Sequence, residues 1–296
     1  MNASIRLHLC KLQTMQNSNN WRKASSEFVV ENYFSNLSCY GITRIADITG
    51  LDFLGIPVVS VYRPRSLTLS VSSGKGLELN DAIVSGVMES IEADVAERFS
   101  RDTFIDARLQ DLPNSDHYFY SRLPIYSRSL FNSSITCSWV QLNSLADSST
   151  FYYPAASITL NMGSLVDIVP MFRTGTNGLA SGFSFKEAYL SGLYEVIERD
   201  SITLWRYFHT SRNVPLSIID LSSIPFASSN SLIDRIIDAG LKIVIHNISS
   251  PFGLPVFKVL IAGDIDDSLS VYVGYGCHHS AEIALNRGIT EAAQAR

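Results

Sequence analysis

The chain lacks most features that mark secreted, membrane-spanning or nucleic-acid-binding proteins. Its four cysteines are widely scattered and form no CxxC pair, which favours a reduced, cytoplasmic protein over a disulfide scaffold. No apolar run approaches the length of a membrane span, and the polar opening segment contains no apolar signal-peptide core. The net charge of −5, without a cluster of Lys and Arg, argues against nucleic acid or a membrane surface as a partner.

Motifs for common nucleophilic and zinc-dependent chemistry are also missing. The sequence has no G-x-S-x-G elbow, and no His or Cys pair at zinc spacing accompanies the run Cys277-His278-His279. Adjacent residues on a strand-to-turn segment are expected to point in opposite directions, so this run is interpreted as structural. Ser85 and Ser191 have no adjacent base, and the cysteines lie outside the acidic faces described below. No side chain is therefore assigned as a catalytic nucleophile.

What the chain does contain is one eleven-residue pattern in three copies. Each copy has Ala first, Ser or Arg fourth, Gly fifth, and acidic or amide residues eighth and eleventh. The copies begin at Ala82, Ala188 and Ala284, at offsets of 106 and 96 positions. On a helix of about 3.6 residues per turn, the fourth, eighth and eleventh positions share one face. The acidic and amide members are Glu89 and Glu92, Glu195 and Glu198, and Glu291 and Gln294.

Three such helices would bring their carboxylate and amide oxygens to a common centre, where like charges are unfavourable unless cations neutralise them. Any one copy alone is ordinary, because Glu pairs occur on solvated helix faces and small residues at this spacing can mark close helix packing. The threefold repetition favours a metal–nucleotide site. Gly74-Lys75-Gly76, between a predicted strand and the first copy, resembles a phosphate-binding entry, although it is not a P-loop.

The hydrophobic patterns predict strands followed by a long helix, about three times over. Helices are predicted over residues 25–40, stopped by Gly41, over the three copies, the second running to roughly Tyr207, and over 232–239, closed by Gly240. Strands are predicted within 42–61, at 67–73, among loops in 105–165, and at 241–245, 256–261 and 271–275. These units indicate an α+β fold of pseudo-repeated strand–helix units, with helices packed on mixed or antiparallel sheets. A polar segment, 1–22, is expected to precede one domain, 23–296.

Several of these residues resemble the motifs of the YcaO family. The run Thr176–Gly182, followed by Glu187-Ala188 and by residues 195–200, carries the resemblance. So do Gly74-Lys75-Gly76 with the first copy and the ending from Thr290 onward, so the match extends from about residue 22 to the last residue. YcaO proteins use ATP and Mg²⁺ to activate a peptide backbone amide, whose oxygen attacks the γ-phosphate before a nucleophile displaces phosphate. The resemblance implies the YcaO fold, these cofactors and this activity.

The resemblance also implies roles for individual side chains. Magnesium ions bridging the phosphates would be held by Glu89, Glu92, Glu195 and Glu198. Nucleotide contacts would come from Lys23, Lys75, Ser85, Glu187, Ser191, Arg199, Glu291, Gln294 and Arg296. Of these, Arg199 and Arg296 would meet phosphate oxygens, for which the guanidinium group is well suited.

The finer class of reaction follows from the segment 41–57. It resembles the stand-alone and TfuA-associated members, which install thioamides, more than the azoline-forming cyclodehydratases. We therefore expect thioamide-type modification of a precursor peptide or protein, with a separate TfuA-like or E1-like partner protein; a homodimer is a further option. An azoline-forming cyclodehydratase subunit stays as an alternative.

Three differences from the family's motifs leave other classes of function open. Phe183-Ser184 stand where the family often has Asn-Thr, Ala93 stands where Arg is common, and the sequence stops at Arg296 within a predicted helix, which we interpret as a truncation. A non-catalytic nucleotide-binding scaffold is the alternative from another class, and a carboxylate–amine ligase is a third, weaker one.

Overall fold

The described part of the chain, residues 22–113, 123–144, 147–166, 171–212, 217–265 and 268–296, contains five α-helices and nine β-strands. In this computed structural model the helices are α1 (Ser26–Tyr33), α2 (Leu79–Glu97), α3 (Phe185–Arg212), α4 (Ala227–Asp238) and α5 (Ala281–Gln294). The strands are β1 (Arg44–Asp47), β2 (Val58–Tyr62), β3 (Val71–Lys75), β4 (Phe104–Arg108), β5 (Thr136–Asn143), β6 (Thr150–Pro154), β7 (Lys242–Asn247), β8 (Val256–Ile265) and β9 (Ser268–Cys277). The predicted polar segment 1–22 lies outside the described residues except for Arg22.

The strands form three antiparallel sheets, each built from three strands that follow one another in sequence: β1-β2-β3, β4-β5-β6 and β7-β8-β9. The α+β fold class is confirmed, with antiparallel sheets throughout the described ranges. Helix α2 packs on the first sheet, and the third sheet has α4 and α5 on one face and α3 on the other. Of the helices described, none has both the length and the apolarity needed to cross a bilayer.

Because side chains alternate along its strands, the third sheet contributes to a hydrophobic core on each of its two faces. Val259 and Ile261 of β8 are fully buried in the core shared with α4 and α5. Val256 and Cys277, paired across β8 and β9, are fully buried in a second core with α3. Because successive residues of a strand point to opposite faces, this one sheet positions both α3 and α5.

Close helix–strand contacts account for the small residues of the repeated pattern. A Cβ atom at Gly74 in β3 would lie 2.0 Å from a backbone oxygen of α2, and one at Gly276 in β9 would lie 2.0 Å from a backbone oxygen of α5. A Cβ atom at Gly192 in α3 would lie 2.6 Å from the backbone of Gly178. Any side chain at these positions would force the helix away from its neighbour. The packing explanation is therefore correct for the Ala and Gly positions, and only the acidic positions need another.

In the second strand–helix unit, contrary to the prediction, the helix does not pack on the sheet formed by the strands before it. The middle sheet has a core of its own around Trp139 and Phe172, whereas α3 packs on the third sheet through Tyr194 and Ile202. The segment just before α3, and not a strand of the middle sheet, makes the close contact at Gly178. Helix periodicity is a local property, but the choice of sheet depends on long-range packing, so the pattern could not predict it.

Several element boundaries differ from the predicted ones, and three of them are instructive. The helix predicted over 25–40 changes at Phe34 into a 3-10 helix, which ends at Gly41 (φ 73°) as predicted. The strand predicted at 67–73 begins at Val71 and includes Lys75, so Lys75 ends a strand and does not lie in a loop. Helix α4 begins at Ala227, earlier than predicted, because its first turn is polar and lies outside the apolar pattern.

A buried ion network fixes the C-terminal end of α2 to the first sheet. Arg63 follows β2, is 3% exposed, and donates hydrogen bonds to Glu97 (2.6 Å) and Asp94 (3.2 Å). The hydroxyl of Thr68 donates a further bond to Glu97 (2.6 Å). Although burial acts to raise it, these bonds lower the pKa of Glu97 to about 2. The network holds in place the helix that carries the first acidic pair.

Candidate functional site

The acidic faces of α2, α3 and α5 meet at one centre. Burial raises the pKa of Glu89, Glu92, Glu195 and Glu198, and the charges of neighbouring carboxylates, Glu291 on α5 among them, raise it further. We call these five carboxylates the acidic centre. The predicted convergence of three helix faces is therefore present in the structure.

Glu92 and Glu198 are the most strongly affected members. Burial is the largest cause, and together with neighbouring carboxylates it raises the pKa of each to about 7. At Glu92 the hydroxyl of Ser181 donates a 2.5 Å hydrogen bond to the carboxylate, which offsets part of the rise. Carboxyl groups that titrate near neutral pH are held where added positive charge is favourable.

Two basic side chains lie within the acidic centre. Lys75, at the end of β3, places its Nζ 2.6 Å from Oε2 of Glu291, and its charge opposes the effect of burial on the pKa of Glu89 and Glu198. Arg287, one turn before Glu291 on α5, also lowers the pKa of Glu198 against the effect of burial. The motif comparison does not assign Arg287 to the site, although the third copy has Arg where the others have Ser. This Arg in place of Ser is the sequence signal that could have identified Arg287 as a site residue.

Hydrogen bonds from the chain around the centre orient its carboxylates. The backbone N–H of Gly178 donates to Oε2 of Glu195 (3.2 Å), and that of Tyr275 in β9 donates to Oε1 of Glu291 (3.4 Å). With the Ser181 bond to α2, the run 176–182 links α2 to α3 across the site. Such supporting contacts fix ligand groups in place before a ligand arrives.

Glu187, in the first turn of α3, has a carboxylate oxygen without a hydrogen-bond partner. Its Oε2 is buried and has no hydrogen-bond partner. Leaving a buried acceptor unpaired costs about 1–3 kcal/mol, so a ligand or cation at this position would be stabilising. Ser85 and Ser191 are half-buried on α2 and α3.

Comparison with known families identifies the chain at this point. A family model described as YcaO cyclodehydratase, ATP- and Mg²⁺-binding, matches residues 73–296. The chain belongs to the YcaO family. The matched range includes the three copies of the pattern and the whole acidic centre, so the predicted family and the predicted cofactors, ATP and Mg²⁺, are confirmed.

Relatives and solved structures agree with that assignment. The chain is 36% identical over 259 residues to an uncharacterized Mycobacterium tuberculosis protein, covering 86% of this chain and 57% of that one. It is 33% identical over 274 residues to a Rhizobium leguminosarum bv. trifolii protein described as lying in the tfuA 3′ region, covering 88% and 63%. The YcaO chain thus spans about three-fifths of the length of these curated relatives.

Two solved structures share the fold at low identity. A heterocyclase in complex with substrate and cofactor superposes with a TM-score of 0.79 at 22% identity, covering 96% of this chain and 41% of the other. YcaO from Methanopyrus kandleri, bound with AMPPCP and Mg²⁺, superposes with a TM-score of 0.68 at 20% identity, covering 93% and 68%. The YcaO fold is therefore confirmed for this chain.

The geometry of this YcaO site fits magnesium held jointly by protein and phosphate. Within the described ranges, no three His, Cys, Asp or Glu side chains are close enough to hold a metal ion by themselves. Mg²⁺ commonly binds through one or two carboxylates plus substrate phosphates, so the spread carboxylates of the acidic centre suit it. The five carboxylates also outnumber the cations Lys75, Arg287 and Arg199, and magnesium ions shared with nucleotide phosphates would offset that excess of negative charge.

Arg296, a predicted phosphate ligand, has a protein partner in this structure. Its guanidinium group lies 2.9 Å from Asp52 and 4.5 Å from the ring centre of Phe53. One of its nitrogens, Nη1, is buried without a hydrogen-bond partner, so the group keeps donor capacity. Its contact with phosphate remains a prediction.

Three other side chains predicted to contact the nucleotide are Arg199, Lys23 and Gln294. Arg199 is exposed on α3, with its Nη2 3.7 Å from Glu195. Lys23 is exposed before α1, and Gln294 is half-buried at the end of α5. Their roles stay predictions.

The run Cys277-His278-His279 corrects one expectation. Cys277 is fully buried, and burial followed by the charge of Glu198 raises its thiol pKa to about 11. It lies on β9 and thus outside the acidic faces of the three helices, as expected. The ring centres of His278 and His279 are only 4.2 Å apart, because β9 ends at Cys277 and strand alternation stops there. Since the Cys277 thiol stays protonated at neutral pH, it is a poor nucleophile, as expected.

Proposed function

We propose that this YcaO chain binds ATP with Mg²⁺ at the acidic centre and activates a peptide backbone amide by O-phosphorylation. The observation that carries the proposal is the acidic centre itself, where carboxylates of three helices come together and the pKa values of Glu92 and Glu198 are raised to about 7. Magnesium ions would supply the positive charge that these carboxylates favour, and ATP would supply the phosphoryl group that the amide oxygen accepts. We likewise propose that residues 23–296 act as one YcaO domain.

The residues of the chain bind, orient and neutralise. Magnesium would be held by Glu89, Glu92, Glu195 and Glu198. Lys75 and Arg287 would meet phosphate oxygens, as Lys and Arg do in other phosphate sites. Phosphoryl transfer depends mainly on positioning and on neutralising charge, and groups fixed on three packed helices provide both. Because Cys277 stays protonated, no covalent enzyme intermediate is proposed.

We propose thioamide formation as the finer reaction, on a precursor peptide or protein with a TfuA-like partner. Two observations support it: the likeness of segment 41–57 to TfuA-associated members, and the relative from the tfuA 3′ region. The alternative, azoline formation with an E1-like partner, is supported by the fold shared with a heterocyclase. Mass spectrometry of the treated peptide separates them. A thioamide exchanges oxygen for the heavier sulfur, so the peptide mass rises, whereas an azoline loses water and the mass falls.

Isotope transfer tests amide activation directly. A peptide encoded beside the gene, labelled with ¹⁸O at its backbone carbonyls, would be incubated with the protein, its partner, a sulfide source as the nucleophile that displaces phosphate, ATP and Mg²⁺. We expect ¹⁸O in the released phosphate, because the amide oxygen is the nucleophile. Glu198→Gln should abolish phosphate release, since a buried magnesium ligand is lost, whereas Cys277→Ala should leave it nearly intact. Phosphate oxygen derived only from solvent would indicate simple ATP hydrolysis and contradict amide activation.

A non-catalytic nucleotide-binding scaffold is the second candidate. It is favoured by Phe183, which departs from the family pattern and packs, just before α3, against Phe28 and Tyr33, with ring centres 6.3 and 5.4 Å away. A scaffold would bind magnesium–ATP yet release no phosphate with the labelled peptide and partner. Phosphate release dependent on that peptide would exclude it.

A further inference from the structure

A cluster of cations lies on the α3 side of the third sheet, outside the acidic centre. His246 of β7, Lys258 of β8 and Tyr275 of β9 are directly opposite one another across the three strands. Helix α3 covers this row with Trp205 and Arg206. The Nζ of Lys258 lies 4.0 Å from the ring centre of Trp205, and Nη2 of Arg206 donates to the hydroxyl of Tyr275 (3.5 Å).

The charges of this cluster are not balanced within the described residues. Burial, followed by the nearby charge of Arg206, lowers the pKa of Lys258. In the part of the chain that the structure describes, neither Lys258 nor Arg206 forms a salt bridge with a carboxylate. The contact with Trp205 stabilises Lys258 as a cation–π pair, which would be a sufficient structural role for one lysine. It does not account for a second cation beside it.

His246 provides an independent observation at the same place. It is 3% exposed, and its Nδ1 is buried without a hydrogen-bond partner. Its ring centre lies 6.0 Å from that of Trp205. Burial, then the charges of Lys258 and His209, lower its pKa, so the imidazole is neutral and one ring nitrogen can carry a proton for donation. A buried polar atom left unpaired beside Lys258 calls for a hydrogen-bond partner that the described residues do not supply.

We propose that Lys258, Arg206 and His246 form a subsite for an oxyanion, either a carboxylate or a phosphate, with Trp205 as its apolar wall. Charge-assisted hydrogen bonds from Lys and Arg are the usual means of holding such groups. Arg206 follows Glu198 by eight positions on α3, about 12 Å at 1.5 Å per residue. The subsite is therefore separate from the acidic centre and carries the opposite charge. It does not depend on the proposed amide chemistry.

Side-chain NMR of the full chain tests the subsite. The imidazole resonances of His246 would be followed while sodium acetate is added in one arm and inorganic phosphate in the other, with chloride keeping ionic strength constant. We expect a saturable shift in at least one arm, and the arm with the tighter binding identifies the class of anion. Lys258→Met and Arg206→Gln should each weaken that binding roughly ten-fold, because each removes a charge-assisted hydrogen bond.

The titration is accompanied by a control variant and a check that each variant is folded. Lys242→Met removes an exposed lysine of β7 outside the cluster and should leave the titration unchanged. Circular dichroism confirms that each variant is folded; if Lys258→Met is not, Arg206→Gln at the exposed position carries the test. Absence of saturable binding in both arms, or equal affinity in the folded variants and the unaltered protein, would overturn the subsite.

Discussion

At the scale of single residues, the structure shows why acidic side chains of a common type behave differently. Glu97 forms hydrogen bonds to Arg63 and Thr68, which lower its pKa to about 2. Glu198 is about as deeply buried, and burial, followed by the charge of Glu291, raises its pKa to about 7. The first carboxylate stabilises the fold, whereas the second is kept in a position where its charged form needs a cation. The hydrogen bonds from Arg63 and Thr68 therefore separate Glu97, a structural acid, from Glu198.

The raised pKa of Glu198 predicts a pH-dependent loss of stability in the absence of magnesium. Its folded-state pKa lies above the unfolded value, so the folded state binds the proton more tightly, and stability falls as pH rises from about 4.5 through 7. A change from 4.5 to about 7 corresponds to a loss on the order of 3 kcal/mol. Glu198→Gln should remove this contribution and flatten the decline.

Chemical denaturation at pH values from 5 to 8, without divalent cations, measures this effect. The difference between Glu198→Gln and the unaltered protein is the informative quantity, because His278, whose pKa is lowered to about 4, acts in the opposite direction in both. Added magnesium and ATP should restore stability above pH 7 in the unaltered protein only. Parallel profiles for the two proteins would contradict the assignment.

At the scale of elements, the repeated pattern combines two functions in one helix. Its Ala and Gly positions allow α2 and α5 to lie directly on β3 and β9, and its acidic positions then project from the adjoining face. A helix held farther from its strand would move its carboxylates away from the other two. The small residues therefore position the site without touching a ligand.

Gly276→Ala tests this dependence on close packing. The added Cβ would lie 2.0 Å from the backbone oxygen of Ala284 and 2.8 Å from the backbone nitrogen of Gly288, so α5 must shift. We expect a loss of about 1–3 kcal/mol, the usual range for overpacking, or more. Gly50→Ala, where the Cβ meets nothing within 4 Å, should change stability by no more than about 0.5 kcal/mol. Equal urea midpoints for the two variants would show that the contact is not needed.

The sequence predicts these elements better than it predicts their partners. Periodicity and the three copies locate α2, α3 and α5 and place their acidic positions on one face, because these are local properties of a helix. The same pattern gives no information on which sheet receives α3, and it leaves Cys277 apparently remote although it lies beside Glu198. Arg287 was visible only as an exchange within the pattern. The sheet on which α3 packs and the locations of Cys277 and Arg287 all depend on contacts between segments that are far apart in sequence.

At the scale of the whole molecule, the third sheet and α3 contribute to two environments of opposite charge. Strand β9 supports the acidic centre through the backbone of Tyr275, and the side chain of the same residue joins the cation cluster of Lys258 and Arg206. Helix α3 extends along both. The chain thus offers one site suited to magnesium and phosphate, and a second suited to an anionic group.

Isothermal titration calorimetry with ATP is the most direct test of the central claim that carboxylates of three helices hold magnesium–ATP. We predict saturable binding with Mg²⁺ and none without it. The double variant Glu195→Gln/Glu198→Gln should lose binding, whereas Asp234→Asn/Asp238→Asn, which removes two exposed charges from α4, should bind as the unaltered protein does. Equally tight binding by the Glu195/Glu198 variant, or binding that does not require magnesium, would contradict the claim.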